Sequence, residues 1–152
     1  MTRRRGLLHV NLNVSSLDRS LRFYCEGLGF ELRQENEEQV DFGGGAGTEP
    51  LRQAILTTPG CDAILALTEA RSLAIGAGGL NHLGLVVEDD AACGDVLDRV
   101  EVLGGSIGKK GTRDGAGVSE AFAYVRDPDG YAIEVSTQAI LYASLGAADA
   151  TD

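Results

Sequence analysis

The segment Leu8-His9-Val10-Asn11-Leu12-Asn13-Val14 has a counterpart in Asn81-His82-Leu83-Gly84-Leu85-Val86-Val87, and this internal duplication limits the possible folds more than any other feature. Each copy opens with a histidine on a strand-like apolar run. Each is followed by a helix-like segment and then by Leu-Gly, at Leu28-Gly29 and at Leu103-Gly104. Two copies are too few for a solenoid, so the period marks a duplicated supersecondary unit, one per half of the chain. The two histidines occupy equivalent places in the two halves.

Hydrophobic periodicity supplies the contents of each half. Leu7 to Val14 alternates, with Leu8, Val10, Leu12 and Val14 on one face and His9, Asn11 and Asn13 on the other, which predicts a strand with an apolar back and a polar front. Ser15 or Ser16 caps a following helix, with Leu17, Leu21, Tyr24 and Leu28 at helical spacing and Gly27 and Gly29 ending it. Strands are then predicted over Phe30–Glu35, Leu51–Thr57 and Ala63–Thr68, the last two separated by the turn signal Pro59-Gly60. The glycines of Gly43–Gly47 lack the strand, helix and Lys-Ser/Thr context of a phosphate cradle.

The second half repeats the order. It reads as a strand over Leu80–Val87, a helix over Asp90–Leu103, strands over Ser106–Lys109, Glu120–Arg126 and Tyr131–Thr137, a loop over Gly111–Gly117 and a turn at Asp127-Pro128-Asp129-Gly130. Both halves are therefore βαβββ modules, over residues 7–69 and 80–137, joined by a linker at 70–79 and followed by a tail at 138–152 that forms a short helix over Ala139–Leu145. The fold class is α+β, and 152 residues with 43% hydrophobic content suit one domain with an ordinary core.

Charge and cysteine usage exclude several functions. A formal net charge of -10 disfavours a nucleic acid partner, whose phosphates would be repelled, and the short Arg3-Arg4-Arg5 run does not reverse this. No apolar h-region follows that run and no stretch approaches membrane-spanning length, so the reading is a protein of the cytoplasm with no membrane partner. Cys25, Cys61 and Cys93 are odd in number and form no C-x-x-C pair, as expected of reduced thiols there.

On the last predicted strand Ala132, Glu134 and Ser136 share a face, and Tyr131, Ile133 and Val135 share the other. Three strands thus offer His9, His82 and Glu134 to one hollow. A lone strand histidine is usually an ordinary hydrogen-bonded residue, but this chain has only two and both fall at matching places. A carboxylate among apolar neighbours needs a cation or a proton, and a divalent metal supplies one. Two imidazoles and a carboxylate on one side of an ion leave positions open for other oxygen ligands.

His9, Leu28-Gly29-Phe30, Asn81-His82-Leu83-Gly84 and Asp127-Pro128-Asp129-Gly130-Tyr131-Ala132-Ile133-Glu134 together resemble the vicinal oxygen chelate superfamily. That superfamily includes glyoxalase I, bleomycin and fosfomycin resistance proteins, methylmalonyl-CoA epimerase and extradiol dioxygenases. The resemblance runs from about Leu7 to Thr137, and D-P-D-G followed by a strand glutamate is its most specific piece. It implies paired βαβββ modules curled around a metal cavity, ligation by His9, His82 and Glu134, and a small substrate chelated through two neighbouring oxygens. It also implies a homodimer.

Departures from the pattern narrow the chemistry. Ala66 falls where the first half would carry the counterpart of Glu134, whereas glyoxalase I-like enzymes carry a glutamate there; Glu69 or Gln53 would have to reach in from another register. A three-ligand site is more similar to extradiol dioxygenases with iron(II), or to fosfomycin-modifying enzymes with manganese. Tyr124, ten residues before Glu134, matches a tyrosine near the metal in both, and its phenol is the candidate catalytic group.

With no third histidine, proton transfer falls to Tyr124, Glu69, Glu120, hydroxide or substrate, while Lys109, Lys110, Arg113 and Arg126 are candidate partners for a phosphonate. The sequence thus predicts a non-haem iron(II) oxygenase acting on a small aromatic or enolic compound. The alternatives are a redox-neutral lyase, isomerase or transferase using manganese, nickel or zinc, and a metal-free protein that sequesters a drug or metabolite.

Overall fold

Alternation in the first strand becomes one-sided burial: Leu12 and Val14 are buried, while His9 and Asn11 are exposed. The computed structural model describes residues 9–38, 51–60, 64–69, 75 and 80–145, which divide between two compact units, Met1–Gly76 and Ala77–Asp152. The division falls within the segment read as a linker.

The first unit contains β1 (His9–Val14), α1 (Leu17–Leu21), β2 (Glu31–Glu38), β3 (Leu51–Thr57) and β4 (Ile64–Glu69). Ser16 caps α1 by accepting a hydrogen bond from Arg19 N, and the helix then widens into a π-helical turn over Arg22–Gly27. The wider turn, closed by Leu28 N to Phe23 O at 3.1 Å, lets the neighbours Phe23 and Tyr24 both enter the core, where their rings meet edge to face. Leucine spacing alone predicted an unbroken helix here. Gly29, at φ 80°, turns the chain out into β2.

The four strands form a sheet in the order β1-β4-β3-β2, with β1 parallel to β4 and the other pairs antiparallel. Residues 39–50, which include the glycine loop, lie outside the described residues, as do Cys61 and Arg3-Arg4-Arg5.

The second unit repeats the plan with β5 (Leu83–Val86), α2 (Asp90–Val100), β6 (Ser106–Gly115), β7 (Val118–Arg126), β8 (Ala132–Ser136) and α3 (Ala139–Leu145). Its sheet has the order β5-β8-β7-β6. Asp89 caps α2 through Ala92 N at 2.8 Å, and the helix buries Cys93, Val96 and Val100 against β6, β7 and β8. The Asp127 carboxylate accepts hydrogen bonds from the amides of Asp129 and Tyr131 at 2.9 and 2.8 Å, which with Gly130 at φ 90° fixes the start of β8. The two βαβββ orders and their matching sheets establish the expected α+β class.

Several boundaries differ from the sequence expectation, β2 running on to Glu38 and β7 starting at Val118 among them. β5 begins at Leu83, so His82 precedes the strand. α2 ends at Val100, where Gly105 N bonds to Val100 O at 2.9 Å and Gly104 adopts φ 86°. The stretch Gly111–Gly117 is largely strand: β6 and β7 pair down to Gly115 and Val118, leaving Ala116-Gly117 as a two-residue turn with φ 50° and 80°. Positive φ at both positions is what a type I′ hairpin requires.

The duplication extends to a defect. In β2 the register slips by one residue between Leu32 and Gln34, opposite Leu56 and Ile55; in β6 it slips between Ile107 and Lys110, opposite Val125 and Ala123. Both bulges lie at the same height of the repeat. Among the described residues no helix is long and apolar enough to cross a membrane. Cys25 and Cys93 are free, and burial pushes both thiols above their usual range.

Candidate metal centre

Strand register builds the site in the second unit. Glu134 on β8 lies directly opposite Tyr124 on β7 and opposite Gly84 on β5. His82 is two residues before Gly84, hence on the same face, and its Nε2 stands 3.0 Å from Glu134 Oε2. The Tyr124 ring meets the imidazole edge to face, with centroids 5.4 Å apart. His82 and Tyr124 also line one cavity of about 340 Å³, together with Asn81, Lys109 and Arg126.

Asn81 determines what the imidazole presents. Its Oδ1 lies 2.6 Å from His82 Nδ1, where it accepts from an Nδ1 proton and leaves Nε2 turned to Glu134. A ring nitrogen and a carboxylate oxygen 3.0 Å apart call for a cation or a proton between them. Two ligands held at about 2.1 Å from one ion and at right angles to each other are about 3.0 Å apart, so the pair fits adjacent positions around a first-row divalent metal. Among the described residues no three His, Cys, Asp or Glu side chains form a metal cluster; the second unit brings together two candidate donors, His82 and Glu134.

Glu134 is buried, with 9% of its side chain exposed, and its other oxygen is also occupied: Oε1 lies 2.5 Å from Arg113 Nη2. Arg113 in turn meets Glu120 Oε1 through Nε at 2.8 Å and Nη2 at 2.7 Å, and its guanidinium lies 5.0 Å from the centroid of the Phe122 ring. Glu120 is buried and its second oxygen accepts from Thr137 Oγ1 at 3.2 Å and Ile140 N at 3.4 Å. Burial pushes the Glu120 carboxyl up, but Arg113, the Ile140 amide and the Thr137 hydroxyl outweigh it and hold it below the usual glutamate range. Desolvation pulls the Arg113 guanidinium down and its two carboxylate partners more than restore it.

The first unit differs at the same places. His9 opens β1 with its side chain exposed. Asn11 pairs with Ala66 as Gly84 pairs with Glu134, which places Ala66 at the register position of Glu134. In front of it runs a neutral chain in which Gln53 Nε2 donates to Thr68 Oγ1 at 3.2 Å and Thr68 donates to Asn11 Oδ1 at 3.1 Å. Glu69 lies on the other face, opposite Val14, where its carboxylate accepts from Leu17 N at 2.8 Å at the start of α1. It is therefore taken up by the helix terminus and does not stand in for the missing ligand. Glu120, the other carboxylate considered for proton transfer, is likewise committed to Arg113.

The sequence offers Arg113 only as a partner for a phosphonate and Asn81 only as part of a motif, not as neighbours of Glu134 and His82. A loop is expected over Gly111–Gly117 because the turn at Ala116-Gly117 lacks the Asn-Gly or Asp-Gly signature of a tight hairpin. With the hairpin recognised, Arg113 falls opposite Glu120 and on the face of Glu134.

Comparison with known proteins follows the same outline. The family model for the Glyoxalase/Bleomycin resistance protein/Dioxygenase superfamily matches residues 6–135. A catechol-2,3-dioxygenase of Bacillus subtilis is 32% identical over 131 residues, covering 84% of this chain and 39% of that protein, so the chain spans about two fifths of its length. A probable lactoylglutathione lyase of Synechocystis is 32% identical over 133 residues, covering 85% of this chain and 92% of the relative. The crystal structure of a glyoxalase family protein from Bacillus cereus superposes with a TM-score of 0.71 at 19% identity, covering 89% of this chain and 95% of the other. On the family match and these identities, the chain belongs to the glyoxalase/bleomycin resistance protein/dioxygenase superfamily.

Proposed function

We propose that the chain is a metal-dependent oxygenase that binds iron(II) through His9, His82 and Glu134 and acts on a small aromatic or enolic compound held through two neighbouring oxygens. The observation that carries this reading is the approach of His82 Nε2 to Glu134 Oε2, at a distance suited to two adjacent ligands of one cation. Ala66 at the equivalent place of the first unit leaves one carboxylate in the triad, the two-histidine, one-carboxylate donor set of non-haem iron(II) oxygenases. Kinship with a catechol dioxygenase supports the same choice. When bound, iron(II) would supply Lewis-acid stabilisation of a deprotonated substrate oxygen and the electrons that activate dioxygen.

This chain's residues do the rest. Asn81 fixes the imidazole tautomer, and the Tyr124 phenol, on the wall of the cavity, hydrogen-bonds a substrate oxygen and relays its proton. Lys109 and Arg126 give that cavity a cationic rim suited to a substrate carrying negative charge. The protein works as a cytoplasmic homodimer on this reading; sedimentation as a concentration-independent monomer would remove the dimer.

The test is elemental analysis of protein purified without added metal, beside oxygen-uptake assays with catechols and related enols. Near-stoichiometric iron, lost in His9→Ala, His82→Ala and Glu134→Ala, with oxygen consumed by the native protein, is the expected result. Kinship with a lactoylglutathione lyase along 92% of its length supports a second reading, redox-neutral lyase or isomerase chemistry with manganese, nickel or zinc. Those metals in the same pattern with no oxygen uptake would favour it, and failure to take up any metal on reconstitution would leave a sequestering protein.

A further inference from the structure

Glu134 offers a cation one oxygen rather than two, and the cause lies in Arg113. Oε1 is held by the guanidinium at 2.5 Å, while Oε2 faces His82 Nε2 at 3.0 Å. A carboxylate that binds an ion through both oxygens turns a lone pair of each toward it, and a charge-assisted bond to arginine competes for Oε1 and turns the group toward one-oxygen binding. Arg113 cannot readily swing away, because Nε and Nη2 are tied to Glu120 Oε1 and the Phe122 ring, 8% exposed, packs against the guanidinium. Glu120 is anchored in turn by Thr137 and Ile140.

We infer that Arg113 is a positioning residue which, braced by Glu120, withholds one oxygen of Glu134 and so makes it a one-oxygen metal ligand. This rests on the metal reading of the site given above. Occupying one carboxylate oxygen also leaves open a coordination position that a two-oxygen ligand would need.

The inference separates from a merely structural role by the sign and kind of the effect. Loss of a structural brace weakens metal binding, whereas release of a withheld oxygen adds a donor. The experiment is cobalt(II) titration followed by visible absorption, with affinity measured against a chromophoric chelator, on the native protein and on Glu134→Ala, Arg113→Lys and the double variant Arg113→Met/Glu120→Gln. The double variant keeps the net charge of the cluster by removing Glu120 together with Arg113, and Glu134 retains His82 at 3.0 Å.

The double variant is expected to bind cobalt at least as tightly as the native protein, by up to about tenfold, with a weaker visible band, because cobalt(II) absorbs less as its coordination number rises. Arg113→Lys keeps the cation beside Oε1 and the native band. A native spectrum in the double variant, or an affinity lowered tenfold with unchanged band shape, would overturn the role of Arg113 while leaving the metal reading intact. Absence of a cobalt band in the native protein would overturn both, and a band that survives in Glu134→Ala would refute Glu134 as the ligand.

Discussion

The corresponding faces of the two sheets, one holding Ala66 and the other Glu134 at the same register position, differ in electrical character. In the first unit Gln53, Thr68 and Asn11 form a neutral hydrogen-bond chain beside Ala66; in the second, Glu134, Arg113 and Glu120 form an ionic chain beside His82. The helices, the strand orders and even the bulges match. The scaffold is therefore indifferent to which of these chemistries it carries, and the function resides in a few front-face substitutions rather than in the fold.

The largest effects come from exchanging the residues that define the contrast. Glu134→Ala is expected to lower kcat/KM by about 10³-fold or more with the fold retained. Ala66→Glu, at the equivalent place, brings a carboxylate to a position only 2% exposed beside the neutral chain of Gln53, Thr68 and Asn11, and should cost on the order of 3 kcal/mol in urea unfolding. If Ala66→Glu proved neutral, the two fronts would be electrically interchangeable and the contrast would collapse.

Tyr124 and Ile55 form the next pair, each opposite the position of Glu134 or Ala66. Tyr124→Phe should reduce kcat by about 10²-fold without moving Tm, while Ile55→Val leaves kcat within about twofold. Equal losses at both positions would show packing rather than the phenol at work.

A smaller effect depends on pH. Glu120 is held below its unfolded range, so its contribution is complete above the ordinary glutamate pKa of about 4.3 and is lost as the pH falls through the depressed folded value. The stability gap between native protein and Glu120→Gln should thus be open at pH 7 and narrow toward about pH 3. Thr68→Val in the neutral chain should cost about 1 kcal/mol at either pH. Parallel behaviour of the two variants would erase the ionic-versus-neutral distinction. Least of all, Ala116→Gly should stabilise the β6–β7 hairpin by up to about 1 kcal/mol, since alanine there holds φ 50°.

What could be read in advance was whatever repeats with a period. Alternation set Glu134 apart from the apolar back of its strand, and duplication marked His9 and His82 as equivalent, while Tyr124 was reached only through the family resemblance. Residues whose role depends on register between strands were not legible in this way: the bulge between Ile107 and Lys110 leaves no compositional mark, yet it decides which side chains of β6 reach Glu134. The π-helical turn was hidden for a similar reason, since an extra residue per turn shows only when Phe23 and Tyr24 are seen to share the core.

That bulge also bears on how a lineage carrying this fold is free to change. Every residue of β6 beyond it owes its side of the sheet to one supernumerary residue, so deletion of a single codon between Gly108 and Lys110 would turn Arg113 to the helix side and bring a neighbour to the front in its place. Length variation at the Ala116-Gly117 tip carries no such penalty. Related chains should differ freely in the reach of this hairpin and scarcely at all in the number of residues from Ile107 to Arg113.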